Sequence, residues 1–135
     1  MICLDTNAVV GAIDRTPSVL SRLRTQHLAG VVVGIPTVVL YELWYGVHKS
    51  ARRRENAATL AAFLALGYVI WPFEPEDAEE AGDIRAVLER AGTPIGPYDV
   101  LIAAQARRRG AVLVTANERE FARVPGLRME NWQAP

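Results

Sequence analysis

The sequence contains one cysteine, Cys3, so no disulfide bond can form within the chain. It also lacks any apolar run that approaches the ~18 residues needed for a membrane-spanning helix. The amino terminus has no basic segment followed by an apolar one, as a secretory leader would have. From these absences we expect a soluble, unprocessed protein of the reducing cytoplasm, in which Cys3 packs as a small core residue.

An excess of either charge is absent too, because 15 basic residues balance 15 acidic ones. The chain as a whole therefore has no electrostatic attraction to nucleic acid. Lys49 is the only lysine, and the other basic residues are arginines, which bind phosphate through paired hydrogen bonds. Arginine runs occur at 52–54 and 107–109. We interpret them either as phosphate contacts or as structural charges, since the second run ends a predicted helix, where cations are favourable.

With 135 residues the chain has the length of one domain, and we assign residues 1–135 to it. Short apolar runs, rich in branched residues, alternate with longer stretches of helical periodicity. We interpret as strands the run that ends at Leu4, then 31–36, 68–71, 111–115 and an edge strand at 127–130. Such alternation is typical of a mostly parallel sheet with helices on both faces. The predicted fold class is therefore α/β.

Three acids are isolated in otherwise uncharged sequence: Asp5 within 1–13, Glu42 within 35–47 and Asp99 within 91–106. A buried carboxylate without a partner costs several kcal/mol, roughly, so three of them require a common explanation. A hard divalent cation such as Mg²⁺ or Mn²⁺ provides one, because it takes oxygen ligands and offsets the repulsion between neighbouring carboxylates. We predict that the three acids converge on a metal site.

The positions of two of these acids favour a site but leave a structural role open. Asp5 follows the first strand, at the carboxyl end where open α/β sheets bind ligands, although it can also cap the next helix. Asp99 falls in the first turn of a helix that begins at Pro97, where the helix dipole favours an ionised acid. Its uncharged surroundings favour a role beyond stabilising that helix.

The helix predicted from Val38 to Lys49 is apolar on nearly every side, with Glu42 as its only acid. A soluble monomer rarely exposes a large apolar patch. We therefore expect another protein chain to cover the face around Trp44 and Tyr45.

The helix that opens at Glu74 and Pro75 is acidic instead. Glu76 and Asp77 lie over its positive end, where they stabilise the helix. Its remaining acids alternate with apolar residues: Glu79, Glu80, Asp83 and Glu89. We interpret this second group as a solvated face.

Four blocks follow one another along the chain: Leu4-Asp5-Thr6-Asn7, then 36–46 around Tyr41-Glu42-Leu43, then 95–104 around Pro97-Tyr98-Asp99, and finally 113–121 with Thr115 and Asn117. Together they resemble the PIN-domain family and, within it, the VapC-type ribonuclease toxins of bacterial toxin–antitoxin pairs. The resemblance implies a three-layer α/β/α sandwich with a five-stranded sheet, a homodimer, and an Mg²⁺- or Mn²⁺-dependent endoribonuclease that cleaves RNA. It also implies a VapB-like antitoxin that blocks the site.

The resemblance implies a catalytic set of Asp5, Glu42, Asp99 and Asn117, of which the three acids hold the metal. Thr6, Asn7 and Thr115 would line the pocket. Many family members have a fourth acid where this chain has Asn117. The sequence leaves open whether Glu118 or Glu120 takes the place of this fourth acid. It also leaves open whether one or two metal ions bind.

Two other functions are compatible with the same acids. A PIN-like chain that no longer cleaves RNA would use them to grip a metal or a partner's arginine, as a binding or scaffolding module. Retention of all three acids counts against this alternative, and a metal-dependent cleavage assay decides it. A structure-specific DNA nuclease is a weaker alternative, because such enzymes carry more acids and additional helices than 135 residues accommodate.

Overall fold

A five-stranded sheet forms the centre of the computed structural model, which describes residues 1–133. The strands are β1 (Ile2–Leu4), β2 (Val33–Pro36), β3 (Val69–Trp71), β4 (Val112–Val114) and β5 (Arg128–Glu130). They lie in the order β3-β2-β1-β4-β5, and every neighbouring pair is parallel. The α/β prediction is confirmed, and the sheet is parallel throughout.

Helices occupy every connection between these strands. Within residues 1–133 they are α1 (Thr6–Ile13), α2 (Pro17–Leu28), α3 (Thr37–Lys49), α4 (Arg53–Leu64), α5 (Pro75–Arg90), α6 (Pro97–Arg108) and α7 (Glu118–Phe121). None of these helices is long and apolar enough to span a membrane. Because consecutive strands are parallel, the helices α1, α3 and α7 all start at the same carboxyl edge of the sheet.

The central strands are buried on both faces, as the apolar runs predict for an all-parallel sheet. Cys3, Leu4, Ile35 and Leu113 have no exposed surface. Gly34 is required by packing, because a Cβ atom at this position would lie 2.1 Å from Cε2 of Trp71 on the neighbouring strand β3. The indole of Trp71 therefore lies directly over the backbone of β2.

Helix α3 buries one side, formed by Val39, Leu43 and Val47. Tyr41 and Tyr45 are exposed on the opposite side, and the half-buried Trp44 stacks on His48. The exposed side is therefore aromatic with phenolic hydroxyl groups rather than purely apolar. This composition weakens the argument from sequence that a protein chain must cover it.

Helices α5 and α6 are joined by a buried ion pair that the sequence did not predict. Asp77 has no exposed surface, and it accepts hydrogen bonds from Nε of Arg108 at 2.6 Å and Nη1 of Arg109 at 2.8 Å. It also accepts the backbone N–H of Glu74 at 2.9 Å, which is the predicted role at the helix start. Burial would raise the pKa of Asp77, but the hydrogen bonds from Arg108, Arg109 and Glu74 lower it to about 2.

Arg107 extends this network to Glu80 and Asp83, two acids of the predicted solvated face. Its Nε donates to Glu80 at 2.6 Å, and its Nη2 donates to Asp83 at 2.8 Å. The solvated-face prediction is wrong for Glu80, whose side chain is half-buried, whereas Glu79, Asp83 and Glu89 are exposed as predicted. All three arginines of the run 107–109 pair with acids of α5 or its N-cap. The run therefore has a structural role in joining α6 to α5, and its side chains are not free to bind phosphate.

Replacing Asp77 by Asn is expected to destabilise the protein by about 3 kcal/mol at pH 7, because Arg108 and Arg109 lose a buried counter-charge. The pKa of Asp77 is about 2 in the folded chain and about 3.9 in the unfolded chain. Its stabilising contribution is therefore complete above the unfolded value and is lost as the pH falls through about 2. Urea unfolding of wild type and Asp77→Asn at pH 7, 4 and 2.5 should show that the difference between their unfolding free energies becomes smaller as the pH falls.

Asp83→Asn is the matched control, because Asp83 also pairs with an arginine but its side chain is 60% exposed. Such pairs contribute less than about 1 kcal/mol. An equal loss of unfolding free energy in Asp77→Asn and Asp83→Asn would contradict a special role for the buried Asp77.

Candidate active site

Asp5 is buried at the carboxyl end of β1, with 6% of its surface exposed. Its Oδ1 accepts the backbone N–H of Ala8 at 2.8 Å, so it does cap α1. Burial raises the pKa of Asp5, and the nearby charge of Glu42 raises it further. Hydrogen bonds from Thr115 and from the N–H groups of Ala8 and Asn7 act in the opposite direction. Asp5 is therefore both a helix cap and a member of an acidic group.

Glu42 is held beside Asp5 by the first residue of α1. Oγ1 of Thr6 donates to Oε1 of Glu42 at 2.8 Å, which links α1 to α3. Thr6 thus contacts one of the acids and orients it, while its predicted place in a substrate pocket stays a prediction. Asn7 is different, because it is exposed and its carbonyl oxygen accepts a hydrogen bond from Gln133 at 3.2 Å. It contributes to the site through its backbone N–H.

Asp99 reaches the same place from the first turn of α6. Its pKa is raised to about 7, first by burial and then by a side-chain hydrogen bond with Glu120. The charges of Glu120, Glu42 and Asp5 raise this pKa further. These mutual effects place the four carboxyl groups in one electrostatic cluster.

Glu120, rather than Glu118, completes this cluster. Nδ2 of Asn117 donates to Oε2 of Glu120 at 3.1 Å, and the backbone N–H of Asn117 donates to Oγ1 of Thr115 at 2.9 Å. Glu118 is exposed and accepts a hydrogen bond from Asn131. Asn117, which we had placed in the catalytic set, therefore orients a fourth acid located one helical turn later.

The family of the chain follows from comparison with known proteins. A model of the PIN domain matches residues 2–127. The chain belongs to the PIN domain family. The resemblance found in the sequence is thereby confirmed, together with the fold that it implied.

Similar PIN-domain proteins are named as nucleases. The chain is 39% identical over 132 residues to a protein of Salmonella typhimurium named tRNA(fMet)-specific endonuclease VapC, and the match covers 96% of each chain. A protein of the same name from Shigella flexneri is 42% identical over 130 residues, again covering 96% of each. The relatives thus support an enzyme of the VapC ribonuclease type, in agreement with the sequence prediction.

Solved VapBC structures contain chains that match the whole fold. A chain in the structure of VapBC2 from Rickettsia felis, bound to a DNA fragment from their promoter, superposes with a TM-score of 0.91 at 39% identity. The DNA-bound VapBC structure from Salmonella typhimurium gives a TM-score of 0.88 at 38% identity. Each match covers 98% of this chain and 99% of the other.

The acids of this PIN domain have no positive counter-charge in the described part of the chain. Within residues 1–133, none of Asp5, Glu42, Asp99 and Glu120 forms an ion pair with an arginine, lysine or histidine. The same residues contain no ready-made group of three or more His, Cys, Asp or Glu side chains arranged to hold a metal ion. Repulsion explains this arrangement, since carboxylates without a cation separate or share a proton, and the hydrogen bond with Glu120 contributes to the raised pKa of Asp99.

Asp99→Asn is expected to leave the metal-free protein as stable as wild type, or more stable, above pH 7. The folded-state pKa of about 7 lies above the unfolded value of about 3.9. The wild-type carboxyl group therefore favours folding fully below the unfolded value and loses this contribution as the pH rises through 7. The variant's advantage, about 1–3 kcal/mol after allowance for solvent screening, should vanish near pH 4.

Urea unfolding in EDTA at pH 4, 7 and 8.5 measures this difference. A variant that is clearly less stable than wild type at pH 8.5 would show that Asp99 has a basic partner and belongs to a structural ion pair.

Proposed function

We propose that this chain, acting as one nuclease domain in the cytoplasm, is a metal-dependent endoribonuclease. The observation that carries the proposal is a cluster of four acids, one after β1 and one each from α3, α6 and α7, none of which forms an ion pair with a basic residue within residues 1–133. Elsewhere in the molecule, buried or half-buried acids such as Asp77 and Glu80 are neutralised by arginines. An uncompensated cluster at the ligand-binding edge of a parallel sheet is typical of a cation site.

The donor set fits a hard divalent cation. All four side chains offer carboxylate oxygens, which are the ligands that Mg²⁺ and Mn²⁺ prefer. Asp5 and Asp99 would hold the ion, with Glu42 and Glu120 available beside them. When bound, such an ion lowers the pKa of a water molecule and offsets the charge of an attacked phosphate.

The remaining residues of the site orient these acids. Thr6 fixes one oxygen of Glu42, and Asn117 fixes one oxygen of Glu120, so that each keeps a second oxygen for other contacts. Thr115 donates a hydrogen bond to Asp5 while its Oγ1 accepts the N–H of Asn117. Thr115 therefore couples the acid of β1 to the turn that carries Glu120.

RNA is the substrate class that we propose, and transfer RNA is the member to test first. Two relatives that are 39% and 42% identical to this chain carry tRNA(fMet) specificity in their names. An initiator tRNA is therefore the most informative substrate, with total RNA beside it to reveal cleavage at other positions.

Asp5→Asn and Asp99→Asn are each expected to reduce the rate of RNA cleavage by at least about 100-fold, because each removes a proposed metal ligand. Asparagine at position 5 keeps an oxygen that can cap α1, so the fold should survive. Cleavage of end-labelled initiator tRNA with Mg²⁺ or Mn²⁺, followed on a denaturing gel, measures the rates.

Glu118→Gln is the control, because Glu118 lies on the same short helix as Glu120 but is exposed. It should cleave at the wild-type rate. A parallel thermal melt adds an independent reading, since Mn²⁺ that binds only the folded wild type should raise its melting temperature and leave Asp5→Asn unchanged. Wild-type cleavage in both acid variants would overturn the site assignment.

We further propose that a VapB-like antitoxin binds beside the acids. A groove of about 360 Å³ runs from Thr6 and Glu42 between α1, α3 and α4, with apolar walls that include Val10, Leu43 and Leu60. An antitoxin segment in this groove would cover Glu42 and so stop cleavage. The solved structures similar to this chain are VapBC complexes, which supports the partner class. The homodimer implied by the family remains a prediction for sedimentation analysis.

Val10→Asp is expected to weaken binding of the cognate VapB-like antitoxin by at least about 10-fold, because it places a charge on an exposed apolar wall of the groove. Isothermal titration calorimetry measures the affinity. Val32→Asp is the matched control, since Val32 is also exposed but lies before β2, at the opposite edge of the sheet. Equal binding by wild type and Val10→Asp would place the antitoxin elsewhere.

A further inference from the structure

Two exposed tyrosines face each other beside the acidic cluster. Tyr41 is 55% exposed and Tyr98 is 45% exposed, although their ring centroids are 5.4 Å apart and their hydroxyl oxygens 3.5 Å apart. Tyr41 immediately precedes Glu42 on α3, and Tyr98 immediately precedes Asp99 on α6. The pair therefore bridges, on the outside of the protein, the two helices that supply two of the four acids.

Packing of the hydrophobic core does not explain this pair. A second aromatic pair, Phe63 and Tyr68, stacks with centroids 4.5 Å apart, and Phe63 is buried in the core. Tyr41 and Tyr98 contribute no buried side chain to the core. Their rings are tilted by 57°, and about half of each side chain remains open to solvent.

We propose that Tyr41 and Tyr98 form a platform on which an unpaired base of the RNA stacks, next to the phosphate that is cleaved. This inference rests on the proposed ribonuclease function and adds to it the residues that select the substrate's conformation. Aromatic side chains bind any unstacked base through its ring face. The two hydroxyl groups keep the platform compatible with water when no RNA is bound.

The ion pairs of one arginine run leave room for stacking as a source of affinity. The net charge is zero, and the run Arg107–Arg109 is engaged in ion pairs with acids of α5 or its N-cap. Arginines that are bound in this way contribute little to phosphate binding. The next turn of α3 continues the aromatic surface, since Tyr45 is 59% exposed and carries the Lys49 ammonium 4.9 Å from its ring centroid. One cation at that end suits a neighbouring phosphate.

The platform implies a preference for single-stranded RNA. Bases inside a duplex present no free ring face, whereas bases in loops and ends can turn outward and stack. The predicted substrate is therefore a loop or an unpaired segment, and the same sequence in a duplex should bind more weakly.

The test compares wild type with Tyr41→Ala, Tyr98→Ala and the two phenylalanine variants. Binding of a fluorescein-labelled, mixed-sequence single-stranded oligoribonucleotide is measured by anisotropy in EDTA, with the annealed duplex as a second probe. Each alanine variant should bind the single strand about 5- to 140-fold more weakly, the effect of losing one stacked base. Phenylalanine should retain most of the affinity, because it keeps the ring. Leu28→Ala is the control, since Leu28 is 76% exposed at the end of α2.

Single-turnover cleavage separates this inference from the proposed function. In the alanine variants the enzyme concentration that gives the half-maximal rate should rise by the factor by which single-strand binding weakens. The maximal rate should stay within about 3-fold of wild type. Failure of wild type to cleave any RNA would overturn the proposed function, and the anisotropy result would still decide the platform.

Three outcomes would overturn the platform: no binding of single-stranded RNA by wild type, equal binding by the alanine variants, or weaker binding by phenylalanine and alanine alike. Sedimentation gives a further check, because a dimer that dissociates when Tyr41 and Tyr98 are replaced by alanine would show that a second copy of the chain covers this face.

Discussion

Four acids that form no ion pair within residues 1–133 lie at one edge of the sheet, and the contacts around them must hold this negative charge in place. Asp5, Glu42, Asp99 and Glu120 come from four separate elements, and their repulsion and burial raise the pKa values of Asp5 and Asp99. Such a cluster is unfavourable for folding at neutral pH unless a cation binds. The protein must therefore stabilise these elements elsewhere, and it must limit where the carboxyl groups can move.

Small polar side chains limit this movement. Thr6 binds Glu42, Asn117 binds Glu120, and Thr115 connects Asp5 to the backbone of Asn117. Each is neutral, so it orients an acid without neutralising it. An arginine in any of these positions would hold the acid more firmly, but it would neutralise the negative charge that attracts a metal ion.

The parts of this arrangement that could be predicted from sequence are those that depend on local pattern. Apolar runs and helix starts define the alternating fold, and isolation in uncharged sequence identifies Asp5, Glu42 and Asp99. The buried pairing of Asp77 with Arg108 and Arg109 could not be predicted, because the two arginines lie 31 and 32 residues after Asp77 in the chain. Likewise the sequence leaves open whether Glu118 or Glu120 joins the acids, because the choice depends on contacts of Glu120 with Asn117 and Asp99 that the fold creates.

Helix α6 carries Asp99 in its first turn and binds the buried Asp77 through Arg108 in its last. Its last turn is fixed by Asp77, which binds Arg108, and by Gln105, whose Nε2 donates to the carbonyl oxygens of Trp71 at 3.2 Å and Pro72 at 3.1 Å. Thr37, at the start of α3, donates to the same Trp71 oxygen at 2.7 Å. The helices that carry Asp99 and Glu42 therefore share one anchor at the end of β3. Because both are tied to this anchor, repulsion between their acids is not relieved by moving the helices apart, and the remaining ways to relieve it are separation of the side chains, a shared proton or a bound cation.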